Sequence, residues 1–199
     1  MIAIIDYGAG NLKSVKKAFD YLKVESQIIS NSEELTDAKK VILPGVGAFG
    51  AAVDKLLETG LYDSIQDWLN ANRPFLGICL GMQLLFETSS ESPNVKGLSV
   101  FEGKNLRFSS GKVPHIGWNQ VQIKKPSQLF DGIADGSFFY FLHGYYIAPA
   151  DQDLVTATTE YGISYPSVIE SGNIYAVQFH PEKSGDIGLK LLKNWVDLN

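Results

Sequence analysis

The sequence holds a single cysteine, Cys79, in 199 residues. One thiol cannot close an internal disulfide, so the fold must be held by its core alone. Histidine is also scarce, with His115, His143 and His180 the only three. Neither they nor the cysteine have the paired ligand spacing of a zinc site, and no metal and no cofactor are expected. Basic residues are outnumbered, 17 Lys and Arg against 22 Asp and Glu, giving a net charge of −5. Nucleic acid and anionic membrane surfaces would repel such a chain, which leaves small molecules or another protein as partners. Long apolar runs are missing too. No stretch approaches the length of a bilayer span, and the opening MIAIID reaches Asp6 after too few apolar residues for a secretory leader. The expected compartment is the cytosol. Without repeats, low-complexity segments or linker-like stretches, residues 1–199 are expected to form one domain.

What is present is material for a core, since 45% of residues are hydrophobic and 12% aromatic. In the first half, IAIID (2–6), SQIIS (26–30), KKVILPG (39–45) and RPFLGIC (73–79) read as strands. Between them, residues 11–22 place Leu12, Val15, Phe19 and Leu22 at helical spacing, and residues 51–57, 62–70 and LGMQLLFE (80–87) read as further helices. The alternation predicts an α/β fold, a parallel sheet with helices on both faces. The second half changes character. KNLRF, WNQVQI, FFYFLHGYY, LVTATTE, SVIE and IYAVQFH are strand-like, and SGN (171–173) signals a hairpin, so antiparallel strands extend or flank the sheet. Residues 187–198 close the chain as an amphipathic helix.

The segment Gly77-Ile78-Cys79-Leu80-Gly81 has the form of a nucleophile elbow with cysteine in place of serine. On a tight strand-to-helix turn, bulky neighbours clash and glycines relieve them. Cys79 would stand at a helix N-terminus, whose N–H groups favour thiolate and hold a developing oxyanion. A lone cysteine is otherwise most simply a buried apolar residue. Its base would be His180, at the end of IYAVQFH. Glu182 follows two residues later, where extended backbone points both side chains the same way, the logic of a Cys-His-Glu triad. His115 and His143 sit in aromatic, strand-rich settings that suit histidines satisfied by backbone hydrogen bonds. DYGAGN (6–11) lacks the glycine a dinucleotide fingerprint needs at position 13, which is Lys13, and reads as a tight turn. PGVGAFG (44–50) follows a strand, so at the carboxyl edge of a parallel sheet it should meet Cys79 in one crevice.

PGVGAFG, GICLGMQLLFE and QFHPEKS together resemble the three signature segments of the class I, or triad, glutamine amidotransferases. DYGAGNLKSV, VPHIGWNQV and FYFLHGYY resemble more narrowly the branch that supplies the glutaminase subunit of imidazole glycerol phosphate synthase. The resemblance runs from Ile2 to about Trp195. It implies a three-layer α/β/α fold with a largely parallel central sheet and a smaller antiparallel sheet. It implies that Cys79 attacks the side-chain amide of L-glutamine, that His180, oriented by Glu182, protonates departing ammonia, and that water releases glutamate from a thioester. By the same resemblance, Val46 and Leu80 supply oxyanion N–H groups, and Gly47, Gln83, Glu91, His143, Gly144 and Tyr145 hold glutamine. Relatives more often carry a hydroxyl residue at position 144. Trp118, Tyr140 and Lys183 match positions near a contact with a (β/α)₈-barrel cyclase, which makes imidazole glycerol phosphate and aminoimidazole carboxamide ribotide in histidine biosynthesis. The glycines around Val46 would let its peptide turn between a resting and an active orientation. Other readings stay open at this point: a glutaminase subunit of another synthase such as anthranilate synthase, a cysteine peptidase on the same elbow, or a non-catalytic regulatory subunit.

Overall fold

The computed structural model describes residues 1–8 and 11–198; Ala9 and Gly10, in the DYGAGN turn, and Asn199 lie outside them. Twelve strands and five helices follow one another as β1 (Ile2–Ile5), α1 (Leu12–Tyr21), β2 (Ser26–Ile29), β3 (Lys40–Gly45), α2 (Phe49–Glu58), α3 (Leu61–Asn70), β4 (Phe75–Cys79), α4 (Leu80–Gln83), β5 (Phe86–Ser89), β6 (Phe101–Arg107), β7 (His115–Ile123), β8 (Ser137–His143), β9 (Tyr145–Pro149), β10 (Val155–Glu160), β11 (Ser164–Ser171), β12 (Ile174–Val177) and α5 (Gly185–Asp197). The main sheet has the order β2-β1-β3-β4-β12-β11-β10-β7-β8. Strands β2 through β12 in that order run parallel, and β11 to β8 continue the sheet antiparallel.

Because successive strand residues point to opposite faces, the parallel strands feed two cores at once. Ile2 and Ile4 of β1, Ile42 of β3, and Leu76 and Ile78 of β4 pack with Val15 and Phe19 of α1 and Leu191, Leu192 and Trp195 of α5. Ala3 and Ile5, Val41 and Leu43, and Phe75 face Val53 and Leu56 of α2 and Ile65, Trp68 and Leu69 of α3. Each such side chain taken from water contributes about 1.5–3 kcal/mol. The result is the three-layer arrangement. Among the described residues no helix is long and apolar enough to cross a membrane.

Three local expectations need correction. The helix read over 80–87 is a single turn, α4. All four of its residues are buried, and Phe86 and Glu87 instead begin β5, which pairs with β6. A run apolar on every side carries no periodicity to separate helix from strand. FFYFLHGYY divides at Gly144 into β8, in the main sheet, and β9, in the smaller sheet β5-β6-β9. That smaller sheet is antiparallel only across β6 and β9, with β5 parallel to β6.

The topology decides where the chemistry sits. Gly45, at the end of β3, is in register with Cys79, at the end of β4. On the other side of β4, Val177 of β12 pairs with Ile78. The Pro44–Gly47 loop and the 178–182 segment therefore emerge to either side of Cys79 at the carboxyl edge.

Candidate active site

Cys79 has φ +54° and ψ −107°, a backbone conformation that costs a non-glycine residue about 1–3 kcal/mol. The surroundings impose it. A β-carbon on Gly81 would fall 1.8 Å from the Leu43 carbonyl oxygen, and one on Gly77 would fall 2.9 Å from the Gly81 carbonyl. Only glycines let the turn cross β3 this closely. With α4 a single turn, the helix dipole is small, and the first N–H groups of the turn carry whatever anion affinity it has.

Val46, Gly47, Cys79, Leu80, Gln83, Glu91, His143, Gly144 and Tyr145 line one cavity of about 150 Å³, joined by Leu142. Leu142 went unread in the sequence because it acts through its backbone, and a carbonyl leaves no side-chain signature. The Cys79 thiol donates to this carbonyl at 3.7 Å. Gln83 is 5% exposed, not a solvated helix-end residue. Its Nε2 donates to the Tyr145 carbonyl at 2.9 Å and to Gln178 Oε1 at 3.0 Å, so the amide offers a ligand its carbonyl oxygen, an acceptor. Glu91 reaches across the cavity mouth, and its Oε2 accepts the Phe49 N–H at 2.7 Å at the start of α2. That bond braces the glycine loop of residues 44–47. At Gly144 a β-carbon would meet only Val113 Cγ1 at 3.4 Å and Pro114 Cβ at 4.0 Å, so the position has room for a small side chain.

His180 and Glu182 form a pair whose side chains are 3% and 2% exposed, with Nδ1–H donating to Oε1 at 2.9 Å. The strand alternation invoked from the sequence is not its cause. β12 ends at Val177, and Glu182 lies in a 3₁₀ turn, Pro181–Lys183. Pro181, with its fixed φ, opens that turn and folds the carboxylate back onto the imidazole. The Glu182 contact assigns the proton to Nδ1 and leaves Nε2 as the other ring nitrogen; His180 lies near Cys79 but does not itself line the cavity. Nε2 has no hydrogen-bond partner within ordinary reach, and it couples to Cys79 through charge and a longer hydrogen-bonding contact. Burial works against a charged imidazole, but the Cys79 charge and the Glu182 carboxylate outweigh it and raise His180 to about 10.

The other two histidines stay neutral. Burial lowers His143 to about 3 and His115 to about 4. His143 Nδ1–H donates to the Tyr145 carbonyl at 2.8 Å, and its Nε2 lies 3.2 Å from the Tyr165 hydroxyl and 3.3 Å from His115 Nδ1. They are satisfied polar core groups, as the sequence suggested, although side chains satisfy them as well as backbone. Among the described residues no three His, Cys, Asp or Glu side chains cluster as metal ligands.

Trp118, Tyr140 and Lys183 gather on the outer face of β7 and β8. Trp118 is 55% exposed and directly opposite Tyr140, with ring centroids 6.1 Å apart, and Lys183 Nζ lies 5.9 Å over the Tyr140 ring. Ile116 and Phe138, also exposed, extend this apolar face along the same two strands. Neither was singled out from the sequence, since exposure of an apolar strand residue becomes visible only when the neighbouring layer is known. Gln178 and Ser184, both buried, were likewise passed over. The signal for Gln178 was there: a polar residue inside the apolar run IYAVQFH.

The chain matches the family described as glutamine amidotransferase class-I over residues 3–198. It is 51% identical over 202 residues to the imidazole glycerol phosphate synthase subunit HisH of Methanocaldococcus jannaschii, covering 100% of both chains. It is 47% identical over 199 residues to the HisH of Caldanaerobacter subterraneus subsp. tengcongensis, covering 100% of this chain and 98% of the relative. Among solved structures, a glutamine amidotransferase superposes with TM-score 0.77 at 20% identity, covering 98% of this chain and 100% of the other. PurLQS from Thermotoga maritima does so with TM-score 0.76 at 19% identity, covering 98% and 97%. These two likenesses concern the fold. By sequence, the chain belongs to the class-I glutamine amidotransferase family and, within it, to the HisH group of imidazole glycerol phosphate synthase subunits.

Proposed function

We propose that Cys79, His180 and Glu182 carry out the glutamine hydrolysis of this glutaminase subunit of imidazole glycerol phosphate synthase, and that the ammonia passes to a (β/α)₈-barrel cyclase docked on the Trp118 face. The observation that carries the reading is the placement of Cys79. A strained cysteine forms the floor of a cavity lined by every residue expected to hold glutamine, with an oriented imidazole beside it.

The raised proton affinity of His180 suits a resting thiolate and imidazolium. The thiolate attacks the side-chain amide carbon, and the oxyanion is held by the Leu80 N–H and, once its peptide is turned inward, the Val46 N–H. Imidazolium Nε2 gives its proton to the amide nitrogen, the C–N bond breaks, and ammonia leaves a thioester. Neutral His180 then takes a proton from water, whose oxygen adds to the thioester carbon. Expulsion of the thiolate yields glutamate and restores the starting charges. In this structure the thiol is turned to the Leu142 carbonyl and His180 Nε2 is unpartnered, in keeping with a subunit kept quiet until its cyclase binds. A cytosolic, heterodimeric enzyme built from one glutaminase domain is the form this reading gives it.

A glutamine-mimicking electrophile should label Cys79. Cys79→Ala should abolish glutamine-dependent synthesis by the complex while leaving synthesis from added ammonium salt intact. Loss of both activities, or retention of both, would overturn the assignment.

A further inference from the structure

The Cys79 sulfur has a second neighbour that the triad does not use. Gln178 is fully buried, at 0% exposure, and its Nε2 donates to Cys79 Sγ at 3.6 Å. Its orientation is fixed by a chain of bonds that admits only one assignment. The Tyr145 carbonyl can only accept, so the Gln83 group facing it must be the amide nitrogen. The other hydrogen of that nitrogen meets Gln178 3.0 Å away, so Gln178 must present oxygen there and nitrogen to the sulfur. His143 Nδ1–H occupies the same Tyr145 carbonyl from the other side, which pins the chain at its far end.

We infer that Gln178 is a catalytic residue of the glutaminase reaction, a neutral and preoriented N–H donor that stabilises the Cys79 thiolate. Three features of the site make such a donor necessary. Cys79 is 4% exposed, so water solvates its charge poorly, and a poorly solvated anion is disfavoured. The Leu142 carbonyl faces the sulfur and favours the thiol, whose proton it accepts. His180 Nε2 makes no hydrogen bond of ordinary length to the sulfur in this arrangement. Beside the backbone N–H groups that open α4, the Gln178 amide is the side-chain donor in place. No proton leaves Gln178 in this role; its N–H bond strengthens an existing interaction as charge develops on sulfur, and weakens it again when the thioester forms.

The inference rests on Cys79 being the nucleophile, and the test separates the two. Gln178 has two partners, and Gln178→Glu keeps one of them, because a carboxylate oxygen still accepts from Gln83. It loses the other, putting a carboxylate where the donor stood, and carboxylate and thiolate disfavour each other's charge at that distance. Gln178→Met keeps the volume and removes both bonds. The rate at which iodoacetamide alkylates Cys79 in the full chain is followed from pH 5 to 10 by mass spectrometry, with thermal melts to confirm folding. A hydrogen bond to a charged group corresponds to at least about a tenfold effect. At pH 7 both variants should alkylate about tenfold more slowly or worse, with the midpoint moved up by about one pH unit, and Gln178→Glu should be the slower. In the complex with the cyclase, the Glu variant should lose kcat for glutamine at near-constant KM. If Gln178 only braced Gln83, the neutral Met variant would alkylate at the wild-type rate and midpoint, and that result overturns the inference, since any slowing by Glu would then follow from its added charge alone. Full glutaminase activity in Cys79→Ala would instead remove the nucleophile itself, a separate outcome.

Discussion

The backbone N–H of His180 donates to the carbonyl of Tyr140 at 2.8 Å, which hangs the imidazole from the strand that displays the exposed aromatic face. Ser184 closes the link. Its hydroxyl accepts the Tyr140 N–H at 3.0 Å and donates to the His180 carbonyl at 2.7 Å. From the opposite end of the same strand segment, the Leu142 carbonyl meets the Cys79 thiol. β8 therefore touches both Cys79 and His180, and one of its faces is left open.

That open face yields the first prediction. Trp118 is more than half exposed, so Trp118→Ala removes little from the core of the isolated chain. Its melting temperature should stay within a few degrees of wild type. Aromatic anchors at interface centres contribute about 2 kcal/mol or more, so affinity for the barrel cyclase should fall at least about thirtyfold by calorimetry. A variant that unfolds would return Trp118 to the core, and one that binds normally would move the interface elsewhere.

The fold was legible where one physical signal dominated. Runs buried on both faces, such as those containing Ile4 and Ile42, mark parallel strands, and glycines flanking Cys79 mark the turn that only they fit. What escaped notice depended on partners distant in sequence. The helix after Cys79 stops after one turn because Phe86 is taken up by a strand pairing with residue 101, which no local pattern encodes. The His180 and Glu182 pair was found by the wrong geometry, since spacing of two residues is met equally by extended backbone and by a turn begun at Pro181. Gln178 was visible as a polar interruption, but its purpose becomes apparent only beside Gln83 and Cys79.

The His180 environment predicts an unusual pH profile. Burial opposes its charge, yet the Cys79 charge and Glu182 raise it to about 10. Because the protonated imidazole is the form that delivers a proton to the departing amide nitrogen, activity should persist through neutral pH and fall as pH rises through about 10. Glu182→Gln removes the carboxylate support, so its alkaline limb should move toward the ordinary histidine range near 6.5, with lower kcat throughout. The kcat/KM of the complex, measured from pH 5.5 to 10.5, checks both. An alkaline limb near 6.5 in the wild type would contradict the thiolate and imidazolium pair.

His115 and His143 make the opposite prediction for stability. Their folded values, about 4 and about 3, lie below the unfolded value near 6.5, so the unfolded chain binds more protons once pH drops below that point. Their contribution is fully present above pH 6.5 and is lost as pH falls toward 4, at about 1.4 kcal/mol per pH unit for each proton. His115→Phe keeps the stacking on Tyr161 and Phe141 and removes one of the two titrating groups. It should be less stable than wild type at pH 8 but lose stability about one proton less steeply between pH 6.5 and 4. Parallel curves in urea denaturation over that range would refute the assignment of His115 as neutral.

The last prediction concerns the loop beside the elbow. Gly45 is paired with Cys79 in the sheet, whereas Gly47 has φ +101° and nothing within 4 Å of where its β-carbon would lie. The peptide joining Gly45 to Val46 thus lies at the end of the paired strand, one residue before an uncrowded glycine that can absorb a change in chain direction. Turned one way it points a carbonyl at the cavity, and turned the other it points the Val46 N–H there. A single oxyanion donor of this kind is worth about 10²–10³ in rate, so a shift in population between the two orientations is enough to switch the subunit on. Val46→Pro deletes the donor and demands only an extended residue before it, which Gly45 in β3 already is. The variant should fold, form the complex and alkylate at Cys79 like wild type, yet show little or no rise in glutaminase activity when the cyclase and its nucleotide substrate are added. Activation equal to wild type would assign the switch to another group, and full activity of the wild-type subunit without any partner would remove the need for one.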